Sequence, residues 1–513
     1  MPSYDKSTKN MINGAAWLAL SAIILKVIGL IYKIPISYLL GDEGMGYFNS
    51  AYTVYTFFYV LGSAGIPKAV SILSAKSSPE KAKGIFLFIF KIYIILGMIL
   101  SLLLFILSKT LAESIGSGRS YYSILAITPS IIFVCASGVL RGYLNGKMRF
   151  APVAISELIG GVGKLFLGLF LANLAIRRGL PLPIVCAYSI LGVTLGAFFG
   201  FIYLFLYYKK ESKYVKREYT DKREVLKSVL KIGIPIAFAT ALSSLVGVID
   251  LSIIMNTLRK NGYSESVSTV IYGNYTTLAV PMLTAVTGLL NMISLAALPT
   301  IAKCHSERRK TDLSSSIRSS LDLSMLLAIP SSFAFFLFPY EILAFLFEIG
   351  SATLGAAFLS CLAPAVFFYS LLTSLNTALE GMNKINSAMI SLILGAIIKL
   401  LSSFILIRTD SIGALGAPLG TTLSYAFSFL FSLICIRREK SVNIRLFSSL
   451  KAPVITSLIA SVGAIFIKLF IYQKNIDVRL KSLFILSAFG IFYFVFCLFI
   501  TIKPKKHAIT SSN

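Results

Sequence analysis

Long apolar runs follow one another along this chain from one end to the other, and they leave few folds open. A helix that crosses the hydrocarbon of a bilayer needs about 20 mostly apolar residues. The runs at 12–40, 46–75, 84–108, 121–143, 151–175, 181–208, 225–255, 268–299, 316–338, 352–380, 385–407, 411–436, 450–472 and 482–502 meet that length. The expected fold is an all-α polytopic membrane protein with about fourteen transmembrane helices, because helices satisfy their own backbone polar groups in lipid. Only 13% of the 513 residues are charged, whereas a soluble domain carries about 25%. A soluble multidomain enzyme is excluded, and no loop is long enough to hold a catalytic domain, so the chain is not expected to be an enzyme. Residues 1–10 are polar and basic, and the run after them exceeds the apolar core of a signal peptide, so the first helix is expected to be retained.

The net charge of +27 would suit a nucleic-acid partner if it were clustered on one surface. It is instead divided between alternate loops. With the N-terminus in the cytoplasm, 28 Lys and Arg residues fall on that side, among them the dense 209–224 segment, and 10 on the other. This is the positive-inside pattern, which puts both termini in the cytoplasm and the basic excess against anionic lipid head groups. No nucleic-acid partner is implied. The six cysteines are scattered singly and the two histidines are far apart, so neither a metal site nor a cofactor is expected.

The chain also repeats itself. LRGYLNGKMRFAPVAISELIGGVGKLFLGLFL, Leu140 to Leu171, and LNTALEGMNKINSAMISLILGAIIKLLSSFIL, Leu375 to Leu406, superpose with a shift of 235 residues. Gly146 then falls on Gly381, Ser156 on Ser391 and Lys164 on Lys399. The reading is two six-helix pseudo-repeats in the same orientation plus two C-terminal helices. The expected divisions are an N-terminal bundle at 1–208, a basic cytoplasmic connector at 209–224, a C-terminal bundle at 225–440, and two added helices with a basic tail at 441–513. Parallel repeats of this kind are found in alternating-access transporters, and since one chain holds both halves a monomer suffices.

A charge inside a transmembrane helix costs about 2.5–3.5 kcal/mol on insertion scales and asks for a reason. Lys91, Lys227, Lys231, Arg318 and Lys468 lie near helix ends, from which a long side chain can reach the head groups. Lys26, Lys164 and Lys399 do not. Each lies about 20 Å along its helix from the cytoplasmic start, near the middle of a roughly 30 Å slab. They are expected to line a water-filled cavity between the halves and bind an anion, with Lys68 at its cytoplasmic mouth. The alternative is internal pairing, such as Glu157 with Lys164 two turns away on the same helical face. Asp250 and Glu157 are also the candidates for a coupling cation. The Gly62–Gly65–Pro67 cluster is expected to kink the second span and act as a hinge, with further kinks at Pro235, Pro281 and Pro330. The aromatics from Tyr47 to Tyr59 read as interfacial belt or packing. Gly160–Gly161–Val162–Gly163–Lys164 looks like a phosphate loop but has Leu158 and Leu165 where glycine and Ser or Thr belong. Transport would then draw on an ion, potential or substrate gradient.

MINGAAWLALSAIILKVIGLIYKIPISYLLGDEGMGYFNSAYTVYTFFYVLGSAGIPKAVS, Met11 to Ser71, resembles the opening of polysaccharide-biosynthesis membrane proteins of the stage V sporulation protein B type. These are relatives of the lipid II flippases within the multidrug/oligosaccharidyl-lipid/polysaccharide flippase superfamily. The Lys26–Val27–Ile28–Gly29–Leu30 stretch matches that pattern's basic residue ahead of a hydrophobic–Gly–hydrophobic run, while Tyr55 to Val60 stand where it carries paired arginines. The resemblance implies two helix bundles around a cationic cavity and a bacterial plasma-membrane flippase. Its substrate would be an undecaprenyl-diphosphate-linked sugar, with lipid II of peptidoglycan synthesis first among the candidates and a sporulation precursor among the others. A cation-coupled multidrug exporter of the same superfamily and a non-transporting scaffold for envelope synthesis are the competing readings.

Overall fold

Side chains that cannot face water must face lipid or each other, and the helices here do both. The computed structural model describes residues 2–216, 218, 221–439 and 446–502. Positions 217, 219 and 220 of the connector, residues 440–445 and the basic tail at 503–513 lie outside the described residues. Among the described residues there is no strand. Large apolar side chains stand on the surface, Ile106 at 65% exposure and Phe466 at 70% among them. That is the inverse of a soluble surface and fits a hydrocarbon surround. This is a multi-pass membrane protein.

Two compact units divide the chain, the first running to Arg259 with Tyr263–Gly273, the second from Asn274 onward with Lys260–Gly262. In the first, the helices are α1 (Pro2–Ser63), α2 (Gly65–Ala75), α3 (Pro79–Ser114), α4 (Tyr121–Ile127), α5 (Ser130–Gly146), α6 (Phe150–Arg177), α7 (Leu182–Glu211), α8 (Lys222–Lys260) and α9 (Glu265–Asn274). In the second they are α10 (Val280–Ser306), α11 (Lys310–Leu337), α12 (Pro339–Leu346), α13 (Ile349–Gly381), α14 (Ile385–Arg408), α15 (Gly416–Arg437), α16 (Leu446–Tyr472) and α17 (Val478–Ile502).

Twelve helices among the described residues are long and apolar enough to cross a bilayer, and a bent pair, Gly118–Ile127 with Ser130–Gly146, adds a thirteenth. The difference from the fourteen spans expected lies wholly in Ile23–Ala75, which counts as one stretch of 53 residues. At 1.5 Å per residue that is about 80 Å of helix against roughly 30 Å of hydrocarbon. Gly41 interrupts it with φ 62° and ψ −177°, a conformation that glycine adopts without strain. A second interruption falls at Ala64, between α1 and α2, within the Gly62–Gly65–Pro67 cluster. By contrast α8 runs unbroken through Pro235 and α11 through Pro330. Pro281 directly follows a π-helical segment at Tyr275–Ala279 that joins α9 to α10 in one helical span of 42 residues.

The internal repeat reappears in backbone detail. α5 ends on Met148 with φ 57°, where Lys147 N donates to Tyr143 O and Arg149 N to Leu144 O. α13 ends on Asn383 with φ 63°, where Met382 N donates to Ala378 O and Lys384 N to Leu379 O. Both are left-handed helix terminations that satisfy orphan carbonyls, and the shift of 235 carries one onto the other. The helices that follow begin in register, at Phe150 and Ile385.

Small residues set the closest helix approaches, as is usual where lipid removes the hydrophobic drive between helices. In the first unit Gly192, Gly196 and Gly200 of α7 lie against α6: a methyl on Gly196 would come within 2.4 Å of Gly160 O, and one on Gly192 within 2.4 Å of Gly168 Cα. In the second unit Gly395 of α14 meets Ser428 and Ser424 of α15, and Gly420 meets Ser403. A seam of buried hydroxyls ties that unit together, with Asn376 Oδ1 accepting from Ser391 Oγ at 3.2 Å and Ser432 Oγ at 2.7 Å.

The C-terminal pair packs on the second unit through a small core of Phe338, Ala460, Ala464, Ile485 and Phe489. Tyr493 donates to Leu326 O at 2.6 Å. Lys468, expected to reach for the head groups, instead pairs at 2.6 Å with Glu341 of α12, whose side chain is 1% exposed. Tyr472 donates to the same carboxylate at 3.2 Å. The segment between the runs at 316–338 and 352–380 is thus a short helix carrying a buried acid, followed by a long one.

Candidate substrate-binding site

Helical spacing gathers the site. Tyr52, Tyr55 and Tyr59 follow one another at three and four residues on α1, Ser137 and Arg141 at four on α5, and Glu157, Gly160, Gly161 and Lys164 within two turns of α6. Residues so spaced share a face. These faces, with Tyr32 of α1 and the small residues Gly196, Ala197 and Gly200 of α7, line a cavity of about 530 Å³ inside the first unit. The glycines contact with α7 fixes α6 and leaves the volume open.

Lys164 is the central cation. Its Nζ lies 4.5 Å from the centre of the Tyr52 ring and 5.1 Å from that of Tyr32. Two ring faces replace part of the hydration that a half-buried ammonium loses. The Tyr32 hydroxyl is held by Ser189 Oγ at 3.1 Å. From Tyr52 the rings continue as a ladder, Tyr52 to Tyr55 and Tyr55 to Tyr59, each with centres 5.7 Å apart. The internal pairing considered for Glu157 and Lys164 is not what forms. Glu157 instead pairs with Arg141 of α5, Oε1 to NH1 at 3.1 Å, and the guanidinium also meets the Tyr59 hydroxyl. Arg141 Nε is buried with no acceptor. The lining therefore carries two cations and one carboxylate.

Of the residues expected from sequence, Lys164 and Glu157 line this cavity together. Lys26 is exposed on α1 and Lys68 on α2, and neither lines it. Lys399 is half-buried on α14 in the second unit, beside the Tyr425 phenol. Asp250 is buried on α8. Gly62, Gly65 and Pro67 pack tightly: a methyl on Gly65 would lie 2.1 Å from Gly233 O of α8, and one on Gly142 of α5 2.3 Å from Pro67 O. Arg141 and the four tyrosines were not anticipated. Its place beside the 144–149 loop puts Arg141 among the loop cations in a reading of the sequence, although Leu140, Tyr143 and Leu144 continue its helix, and Tyr52, Tyr55 and Tyr59 read as belt or packing, although their spacing stacks them on one face.

The sequence pattern of the family described as polysaccharide biosynthesis protein matches residues 11–305, more than half of the chain. The chain belongs to that family. Within it, residues 235–405 also match the MatE pattern. The stage V sporulation protein B of Bacillus subtilis (strain 168) is 23% identical over 452 residues, covering 85% of this chain and 86% of that one. Lipid II flippase MurJ of the same organism is 22% identical over 488 residues, covering 90% and 88%. Among solved structures, lipid II flippase MurJ in an inward closed conformation superposes with a TM-score of 0.72 at 16% identity, over 94% of this chain and 98% of that one. An inward-facing multidrug resistance MATE family transporter of the MOP superfamily gives 0.66 at 15%, over 85% and 99%. Those two likenesses establish the fold. Together with the family match they make this chain a multi-pass membrane protein of the polysaccharide biosynthesis family.

Proposed function

We propose that this chain is a flippase that carries an undecaprenyl-diphosphate-linked sugar from the inner to the outer leaflet of the bacterial cell membrane by alternating access. The observation that carries the reading is the excess of positive charge in the cavity of the first unit, Lys164 and Arg141 against Glu157 alone. A diphosphate sheds its hydration on leaving the head-group layer, and guanidinium and ammonium donors at close range in a low-dielectric cavity offset that loss. Tyrosine hydroxyls and ring faces beside them suit the sugar that follows the diphosphate. Lys26, Lys68 and Lys399 are proposed as further cationic contacts along the route and Asp250 as the site of a coupling cation. Lipid II is the first candidate substrate, in keeping with the names of two relatives. A single chain with both termini in the cytoplasm suffices. A cation-coupled drug exporter is the weaker reading, because it would need acids in excess where this cavity holds bases.

The test is outward exposure of lipid II in cells whose own flippase is shut off and in which this chain is expressed. Restored exposure that is lost in Lys164→Gln supports both substrate and site. If the folded protein in the membrane restores nothing, lipid II is not its substrate.

A further inference from the structure

Arg141 and Glu157 lie across the α5–α6 junction in the wall of the cavity, not in the packing between helices, and both side chains are partly accessible, at 22% and 31%. The guanidinium bonds Glu157 through one nitrogen and also meets the Tyr59 hydroxyl, while its Nε is buried and unpartnered. A guanidinium presents a fork that suits two oxygens of one anion, and here one carboxylate oxygen is bound. The shift of 235 carries Arg141 onto Asn376 and Glu157 onto Leu392, so the ion pair has no counterpart at these positions of the second half. There Asn376 accepts from Ser391 at 3.2 Å instead.

We propose that Glu157 is a built-in competitor for the anion site: its carboxylate occupies Arg141 when the cavity is empty, yields the guanidinium to an entering phosphate group, and returns to it to help expel that group. The proposal rests on the flippase reading and adds a release step to it. A cavity that held a diphosphate with Lys164 and Arg141 unopposed would bind well and let go slowly, since truncating or relieving close charge contacts acts mainly on the dissociation rate. Glu157 keeps a counter-charge within reach without leaving the chain. The other groups facing it are Arg141 from α5, Lys164 on its own helix and the tyrosine hydroxyls of α1. α7 contributes only apolar and glycine positions to the wall.

Binding of inorganic pyrophosphate to the purified full chain in lipid nanodiscs, followed by calorimetry, tests this. In Glu157→Gln the affinity is expected to rise by roughly tenfold, the scale of one charge-assisted hydrogen bond regained, and lipid exposure in cells is expected to slow although binding improves. In Arg141→Gln the affinity is expected to fall by at least as much. An unchanged melting temperature of Glu157→Gln verifies that the junction stays folded. Equal or weaker binding by Glu157→Gln overturns the proposal. If Lys164→Gln abolishes binding while changes at 141 and 157 leave it untouched, the exchange is wrong and the flippase site stands. If the unaltered chain fails to bind pyrophosphate, both fall.

Discussion

An ammonium inside a membrane helix needs neighbours, and Lys164 has aromatic ring faces where a carboxylate was the obvious guess. The consequence is measurable by a double-mutant cycle on thermal unfolding in detergent. Tyr52→Leu is expected to cost about 0.5–2 kcal/mol beyond its loss of packing, Tyr52→Phe much less, and the extra cost should vanish in a Lys164→Met background. Sequence spacing correctly put Glu157 and Lys164 on one helical face. It had no means of showing that the residue across from Glu157 would come from α5, 16 positions earlier in the chain. Periodicity tells which side chains share a face, whereas the neighbouring helix decides which of them meet. For the same reason a ladder of tyrosines at helical spacing could be read as packing until the opposing wall was known to be glycine and alanine.

The helices themselves were legible because lipid enforces long, uninterrupted apolar runs. Their interruptions were legible in part. Gly41 and Ala64 interrupt the backbone where the sequence places a boundary after residue 40 and a kink at Gly62–Gly65–Pro67, while Pro235, which reads as a breaker, leaves α8 continuous. A proline removes one hydrogen bond, and surrounding helices can absorb that loss in a membrane. What sequence scarcely records is how near two helices come. Gly196 illustrates it: Gly196→Val would drive a branched side chain into the Gly160 carbonyl, and the forced separation of α6 from α7 should cost about 1–3 kcal/mol. Gly490→Ala, with nothing within 4 Å of the new methyl, should be neutral or slightly stabilising. Melting temperatures of the two variants in one detergent separate these outcomes, and equal values would contradict the packing described for α7.

At the scale of the whole molecule the pseudo-repeat is kept in backbone and altered in chemistry. Matching terminations at Met148 and Asn383 sit beside a charged junction in one half and a neutral one in the other. The two added helices are bound to the second unit by a buried acid–base pair, and cutting one partner leaves the other uncompensated. Lys468→Ala, which strands the buried Glu341 carboxylate, should therefore destabilise the protein by about 3–5 kcal/mol, more than Lys468 and Glu341 replaced together by Met and Leu. Protease sensitivity of the α16–α17 pair in nanodiscs would register the difference, and equal sensitivity in the single and double variants would show that the ion pair does not hold it.

That pair also sets an order of events during synthesis. Glu341 enters the membrane on an eight-residue helix too short to span it, and Tyr472, which completes its coordination, lies 131 residues further on. At about 5–20 residues per second a ribosome needs on the order of ten seconds to deliver the second half of the contact. For that interval an acid is in the bilayer without its base. The final helices are thus the last-fitted part of the second unit, supplying Lys468 and Tyr472 to a carboxylate already in place.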